Sequence, residues 1–344
     1  MAIPNPMAWY RTPVPAKEFK ELHERSDLLG ALQSVGYLAL IAVAGAAAML
    51  SVHRLPFWAV ALLVLAYGMV CSFLPNAIHE LCHGTVFRTP ALNALFLRVF
   101  SLLGWYNFDF FWASHQRHHR YTLHPPDDLE VVLPMHLFAR NLLLQGIMDP
   151  VGAWNTISRT CRIASGRMEG AWELALYPDG QPEARRPVVR WARVLLAAHA
   201  LILAVSLYLH LWLLPVLASL APFYGSWLFL LCNNSQHMGL TDNVEDFRVC
   251  CRTITLNPLL QFLYWHMNYH TEHHMYAAVP CYRLGRLHRM IRHDLPPCPR
   301  GLVATWSEIA AIQRRQLADP SYRYTAPLPS NPAAPRTTPQ PGRA

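Results

Sequence analysis

LGALQSVGYLALIAVAGAAAML, residues 29–50, runs for 22 residues without a charge, enough to cross a hydrocarbon layer that takes about 20 helical residues. Residues 57–74 are similarly apolar, and little more than SVHRLP separates the two stretches. A third apolar block covers residues 194–232 and contains Pro215 and Pro222. Its length suffices for two spans joined by a tight turn near 210–215. The expected fold is an all-α integral membrane protein with four transmembrane helices, at about 29–50, 57–76, 193–212 and 215–233, arranged as two hairpins. Both termini and both long polar segments then lie on one side, as a helical cap.

Composition and charge agree with this. The 344 residues are 53% hydrophobic and 15% charged, whereas soluble domains carry about 25% charged residues. Of 29 Lys and Arg, only Arg54 falls in either short turn between spans, so the positive-inside tendency places the polar segments in the cytoplasm. The eight Cys form no CxxC motif, and the adjacent pair Cys250 and Cys251 is poorly placed for a structural disulfide, which suits reduced thiols. Residues 91–106 and 258–265 are apolar but too short or interrupted to span, and are expected as interfacial helices. Residues 1–28 are expected as a cytoplasmic N-terminal segment without a cleavable leader. The membrane domain is placed at 29–293, a C-terminal cytoplasmic helical region at 294–319, and a disordered Pro-rich tail at 320–344.

Histidine carries the chemistry. AIHELCHGTVF, residues 77–87, holds His79 and His83; HQRHH holds His115, His118 and His119; HTEHH holds His270, His273 and His274. On a helix, spacings of three and four put side chains on one face, so each box can aim its imidazoles at a common point. All three boxes lie on the expected cytoplasmic side and can converge. Neutral imidazole suits iron, zinc, copper or nickel. Eight such ligands exceed the three that a catalytic zinc takes from its protein, and two metal ions fit the number better. HELCH also spells the HExxH of zinc metalloproteases, with Glu80 as base; a membrane zinc protease is the competing reading from another class, and a metal transporter or store a third.

The stretches AIHELCHGTVF, SHQRHHRYTLHPPDDLE and NYHTEHHMYAAVPCYRL resemble the membrane-bound fatty acid desaturase and hydroxylase superfamily, which has three histidine boxes on a four-span scaffold. The likeness runs from about Leu29 to His293. It implies a di-iron centre, O2 as co-substrate, a lipid or fatty acyl substrate and an external electron donor such as a ferredoxin-like carrier with its reductase. It also implies a ninth ligand, His237, and a water-mediated one, Asn233, both within NNSQHMGL. The activity so implied is O2-dependent oxidation of an unactivated C–H, most simply forming a double bond, with hydroxylation or ketone formation as variants.

Around the ligands, Glu80, His124, Asp128, His266 and Glu272 are candidates to orient the imidazoles. Asp127, Asp128 and Glu130 fit equally well a solvated acidic turn after Pro125 and Pro126. His53, His199 and His210 lie at or within spans, away from the expected metal face, and read as structural. Trp105, Tyr106, Phe108, Phe110, Phe111 and Trp112 suit a substrate path or an interfacial aromatic belt. With no CxxC, GxGxxG or HPGG motif in the folded regions, electrons must come from another protein. Arg283, Arg286, Arg289 and Arg292 offer a basic face for an acidic carrier or for anionic head groups. No partner in nucleic acid is implied.

Overall fold

A computed structural model describes residues 7–319 and 321–329. Among them 64% are helical and none belongs to a strand; only isolated bridge pairs such as Met148 with Tyr224 occur. Among the described residues three helices are long and apolar enough to cross a membrane: Asp27–Ser51, Phe57–Cys82 and Pro182–Tyr208. The first starts where the Ser26 hydroxyl accepts the Leu29 N–H, with Asp27 in the first turn, a favourable charge for a helix N-terminus. Its partner bends at Ser72 and Phe73 before Pro75, because proline removes a helical donor and crowds the preceding turn. The third opens on Pro182 and carries a charged first half, so it begins well before the apolar run that marks it in the sequence.

These helices leave large apolar side chains uncovered, among them Val43 at 67% exposure, Leu62 at 58% and Leu201 at 64%. An apolar surface of that extent matches lipid rather than water, and the chain is a membrane protein. The first two helices pack side by side, with the Tyr37 hydroxyl donating to the Val70 carbonyl at 2.7 Å. A Cβ placed on Gly45 would lie 3.0 Å from the Tyr67 ring.

The fourth apolar segment differs from the single helix expected at 215–233. It forms three pieces, Leu214–Ala218, Ala221–Phe223 and Trp227–Asn234. Pro215 and Pro222 each open a new turn, and Gly225 takes a positive φ of 69°. A Cβ there would sit 2.5 Å from the Leu65 carbonyl oxygen and 2.7 Å from the Met69 nitrogen, so only glycine permits this approach.

The remaining helices place the histidines. Pro90–Leu103 matches one expected short helix, and Phe108–Tyr121 carries the second box. Tyr37, Phe100 and Trp265 pack edge to face between the apolar helices and the third box. On the other side, Trp9 stacks on Phe247 at 4.1 Å and donates its indole N–H to the Arg120 carbonyl, which ties the N-terminal segment to both later boxes. Of the expected tail, residues 321–329 are non-helical; 320 and 330–344 lie outside the described residues.

Candidate metal centre

Nine histidines converge in two groups. His79, His83, His115, His119 and His273 form one; His118, His237, His270 and His274 form the other, and within each the available nitrogens lie within 4.8 Å of one another. Spacing of three or four leaves each box on one helix face, so packing between helices sets the division. In Phe108–Tyr121, His115 and His119 join one group, and His118, three residues from His115, joins the other. In His270–Met275, His270 and His274 share one group and His273 joins the other. Each of these two boxes therefore feeds both groups, whereas the first box serves one group and His237 the other.

The inward nitrogens are crowded in a way that suits a cation. His273 Nε2 lies 2.8 Å from that of His79 and 3.1 Å from that of His119. In the second group, His270 Nε2 lies 2.9 Å from that of His237 and 3.1 Å from that of His274. His83 Nε2 and His115 Nε2 are buried without a hydrogen-bond partner, a costly arrangement for a polar atom.

Four outward nitrogens are held by fixed acceptors, which leaves their inner lone pairs free, whereas Nδ1 of His270 and of His273 is buried without a hydrogen-bond partner. The Nδ1–H of His118 donates to Asp128 Oδ2 at 2.8 Å, that of His115 to Glu130 Oε1 at 2.8 Å, and that of His237 to the Cys250 carbonyl at 2.8 Å. Thr122 gives its own hydroxyl proton to the His118 carbonyl, so its oxygen accepts from His274 Nδ1 at 3.2 Å. Glu130 is fixed in turn by the Ser114 hydroxyl, which accepts from the Trp172 indole. This donor set, rich in imidazole and largely buried, fits a pair of transition-metal ions.

Protonation follows the same pattern. Burial pushes His237 down to about 3. Burial and then repulsion from neighbouring imidazoles push His119, His270, His273 and His274 well below the usual histidine range. His118 is the exception: burial lowers it, but the hydrogen bond and charge of Asp128 outweigh burial and raise it. Asp128 moves the other way, with burial overcome by His118 and by the N–H groups of Leu123 and Glu130.

The other sequence candidates are distributed unevenly. Glu80 is buried with His273 Nδ1 3.5 Å away, and neither of its oxygens has a hydrogen bond. Glu272 points away from the imidazoles toward Thr253 and toward His288 Nδ1, so it anchors the third-box helix. His124 bonds the carbonyl of its neighbour Thr122 and meets Trp9 edge-on. His266 adopts a positive φ of 58° and belongs to neither group. Asn233 is half-buried near the end of Trp227–Asn234, one turn before His237. Phe111 stacks on His115 at 4.9 Å, and Trp112 meets His83 edge-on at 5.2 Å, so aromatic rings flank the first group. Thr122 and the Cys250 carbonyl escape sequence reasoning: a backbone oxygen has no residue signature, and Thr122 resembles any threonine at a helix end.

A family model described as fatty acid desaturase matches residues 56–305. The chain belongs to the fatty acid desaturase family. All nine clustered histidines fall within the matched region. No curated protein matches the sequence. Membership implies an oxidoreductase, a lipid substrate and a membrane setting, and members of this family typically depend on iron. The HELCH histidines, His79 and His83, stand beside three imidazoles from the other two boxes, as a multi-histidine desaturase site requires.

Proposed function

We propose that this protein is a fatty acyl desaturase that uses two iron ions and O2 to introduce a double bond into a lipid-borne chain. The observation that carries this reading is the sorting of the nine histidines into groups of five and four, seven of them buried and His83 and His119 half-buried. Two irons, one per group, would supply the O2 activation and C–H oxidation that no side chain can perform. His79, His83, His115, His119 and His273 would hold one iron. His118, His237, His270 and His274 would hold the other, with Asn233 placing a water beside it. Asp128, Glu130 and Thr122 keep the imidazoles oriented, and burial keeps water away. Phe111 and Trp112 wall the first group and would guide an apolar chain past it.

Dehydrogenating a CH2–CH2 unit with one O2 yields two waters and consumes two external electrons and two protons, so a small carrier must dock. On the basic face, Arg286 is paired with Glu21 at 2.5 Å and Arg283 with Glu24 at 3.7 Å, which narrows the docking charge toward Arg289 and Arg292. The charge distribution supports a topology of four spans in two hairpins, with the metal site, both termini and the 294–319 region on the cytoplasmic side; the fourth span is then the broken segment after Leu214.

The test compares metal content and products of detergent-purified wild type with those of His118→Ala and His273→Ala. About two irons per chain, reduced in each variant, with an O2-dependent unsaturated product in wild type, is the expected result. One zinc per chain retained in both variants would overturn the assignment. A hydroxylated product would move the protein to the hydroxylases on the same scaffold.

A further inference from the structure

We propose that residues 138–159 are a re-entrant helix pair buried in the bilayer, entering and leaving on the histidine side. In the sequence they lie within the long polar segment expected in the cytoplasm. The structure puts their turn at a different level. Asp149 donates its N–H to the Phe223 carbonyl at 2.7 Å, and the Gly225 N–H donates to the Ile147 carbonyl at 3.1 Å. Gly225 in turn lies against Leu65 and Met69, and Tyr224 against Gly68. Residues 65–69 are the ninth to thirteenth of the 26 in Phe57–Cys82. At about 1.5 Å per residue they are roughly 12–18 Å from its start, near the middle of a hydrocarbon layer of about 30 Å. The turn at 147–149 therefore lies at mid-depth.

Both ends of the segment are on the histidine side. Before it, the Met135 carbonyl accepts from Gln313, whose amide also reaches Met238 beside His237. After it, the Arg159 guanidinium lies over the Phe110 ring, 4.2 Å from its centroid, in the helix of the second box.

Two further features suit hydrocarbon. Several backbone groups at the turn are satisfied inside the protein, as suits a bilayer: besides the bonds above, the Ser226 hydroxyl donates to the Gln145 carbonyl, Met148 N–H to the Leu144 carbonyl, and Gly152 N–H to the Asp149 side chain. Pro150 has no donor to satisfy. The outer face is apolar, with Leu144, Met148, Val151 and Trp154 between 63% and 71% exposed. Between Arg140 and Arg159 the sole charged residue is Asp149, which is engaged as the helix cap. The helix Pro150–Ala164 packs along the candidate span Pro182–Tyr208, whose exposed leucines continue the apolar surface. The occupant of that face is the acyl region of the bilayer.

The test uses nitroxide labels on the full chain in lipid nanodiscs, with exposed Cys161 replaced by serine and iron content checked in each variant. Labels at Met148→Cys and Val151→Cys are compared with one at Leu62→Cys, on a candidate span, and one at Ser165→Cys, beyond the helix pair. The expected result is that labels at 148 and 151 relax more with oxygen than with a water-soluble nickel chelate, as at 62, while the label at 165 shows the reverse order. Two results would overturn the proposal: labels at 148 and 151 relaxing with nickel as at 165, or strong spin–spin broadening between them that marks a contact between two copies.

Discussion

His118 and Asp128 meet through the ring nitrogen that faces away from the other imidazoles, at 2.8 Å and with the carboxylate fully buried. That contact sets the tautomer and the plane of a ring shared by no other group. Asp128→Asn keeps the shape and removes the acceptor charge. Iron bound by the second group should fall, with affinity or activity reduced about 10- to 100-fold. Iron titration monitored by metal analysis checks this, and unchanged stoichiometry would reduce Asp128 to a packing role.

Glu130 orients His115 from the opposite group. Glu130→Gln should weaken the first group and spare the second, so the two carboxylate variants should lose different irons. Mössbauer spectra of the loaded proteins would show this as loss of distinct components, and identical spectra would contradict the assignment.

Trp112 touches His83 through its ring edge and is half-buried. If it guides the acyl chain, Trp112→Ala should leave iron content unchanged and lower kcat/KM about tenfold or more through misplacement of the reacting carbon. A wild-type product profile and rate would return Trp112 to the aromatic belt.

Gly68 lies under Tyr224, and an added Cβ would meet the Tyr224 ring at 2.2 Å and its carbonyl oxygen at 2.5 Å. Gly68→Ala should destabilise the fold by about 1–3 kcal/mol, since overpacked sites relax only in part. Thermal unfolding in detergent measures this, and an unchanged midpoint would show that the fourth segment can slide.

Glu173 accepts from Arg162 at 2.7 Å and 2.8 Å and from Arg159 at 2.7 Å. Burial raises its carboxyl, but these arginines and the Glu169 N–H bring it down to about 2 from 4.5. A depressed carboxyl contributes stability that is complete above pH 4.5 and is lost as pH falls toward 2. Solvent reaches the pair through Arg159, 44% exposed, so the contribution is about 1 kcal/mol. Glu173→Gln should be less stable than wild type at pH 7, and the difference should shrink between pH 4.5 and 2; a gap constant across that window would contradict it.

The chain's sequence by itself determines its local physics. Twenty-two uncharged residues at 29–50 have to be a helix in lipid, and imidazoles spaced by three and four have to emerge from one side of a helix. These periodicities are intrinsic to the backbone, so the apolar helices and the histidine boxes are legible without coordinates. What the boxes hold in common is not. His118 and His119 are neighbours in the chain and belong to different groups, because the partner of each imidazole is fixed by how two helices pack. Asp127, Asp128 and Glu130 look alike in the acidic turn, yet only the latter two reach a ring. The break of the fourth segment at Gly225 and the depth of the turn at Met148 likewise depend on contacts with residues 65–69. Such choices are settled by close packing between segments far apart in sequence, and so only the tertiary structure decides them.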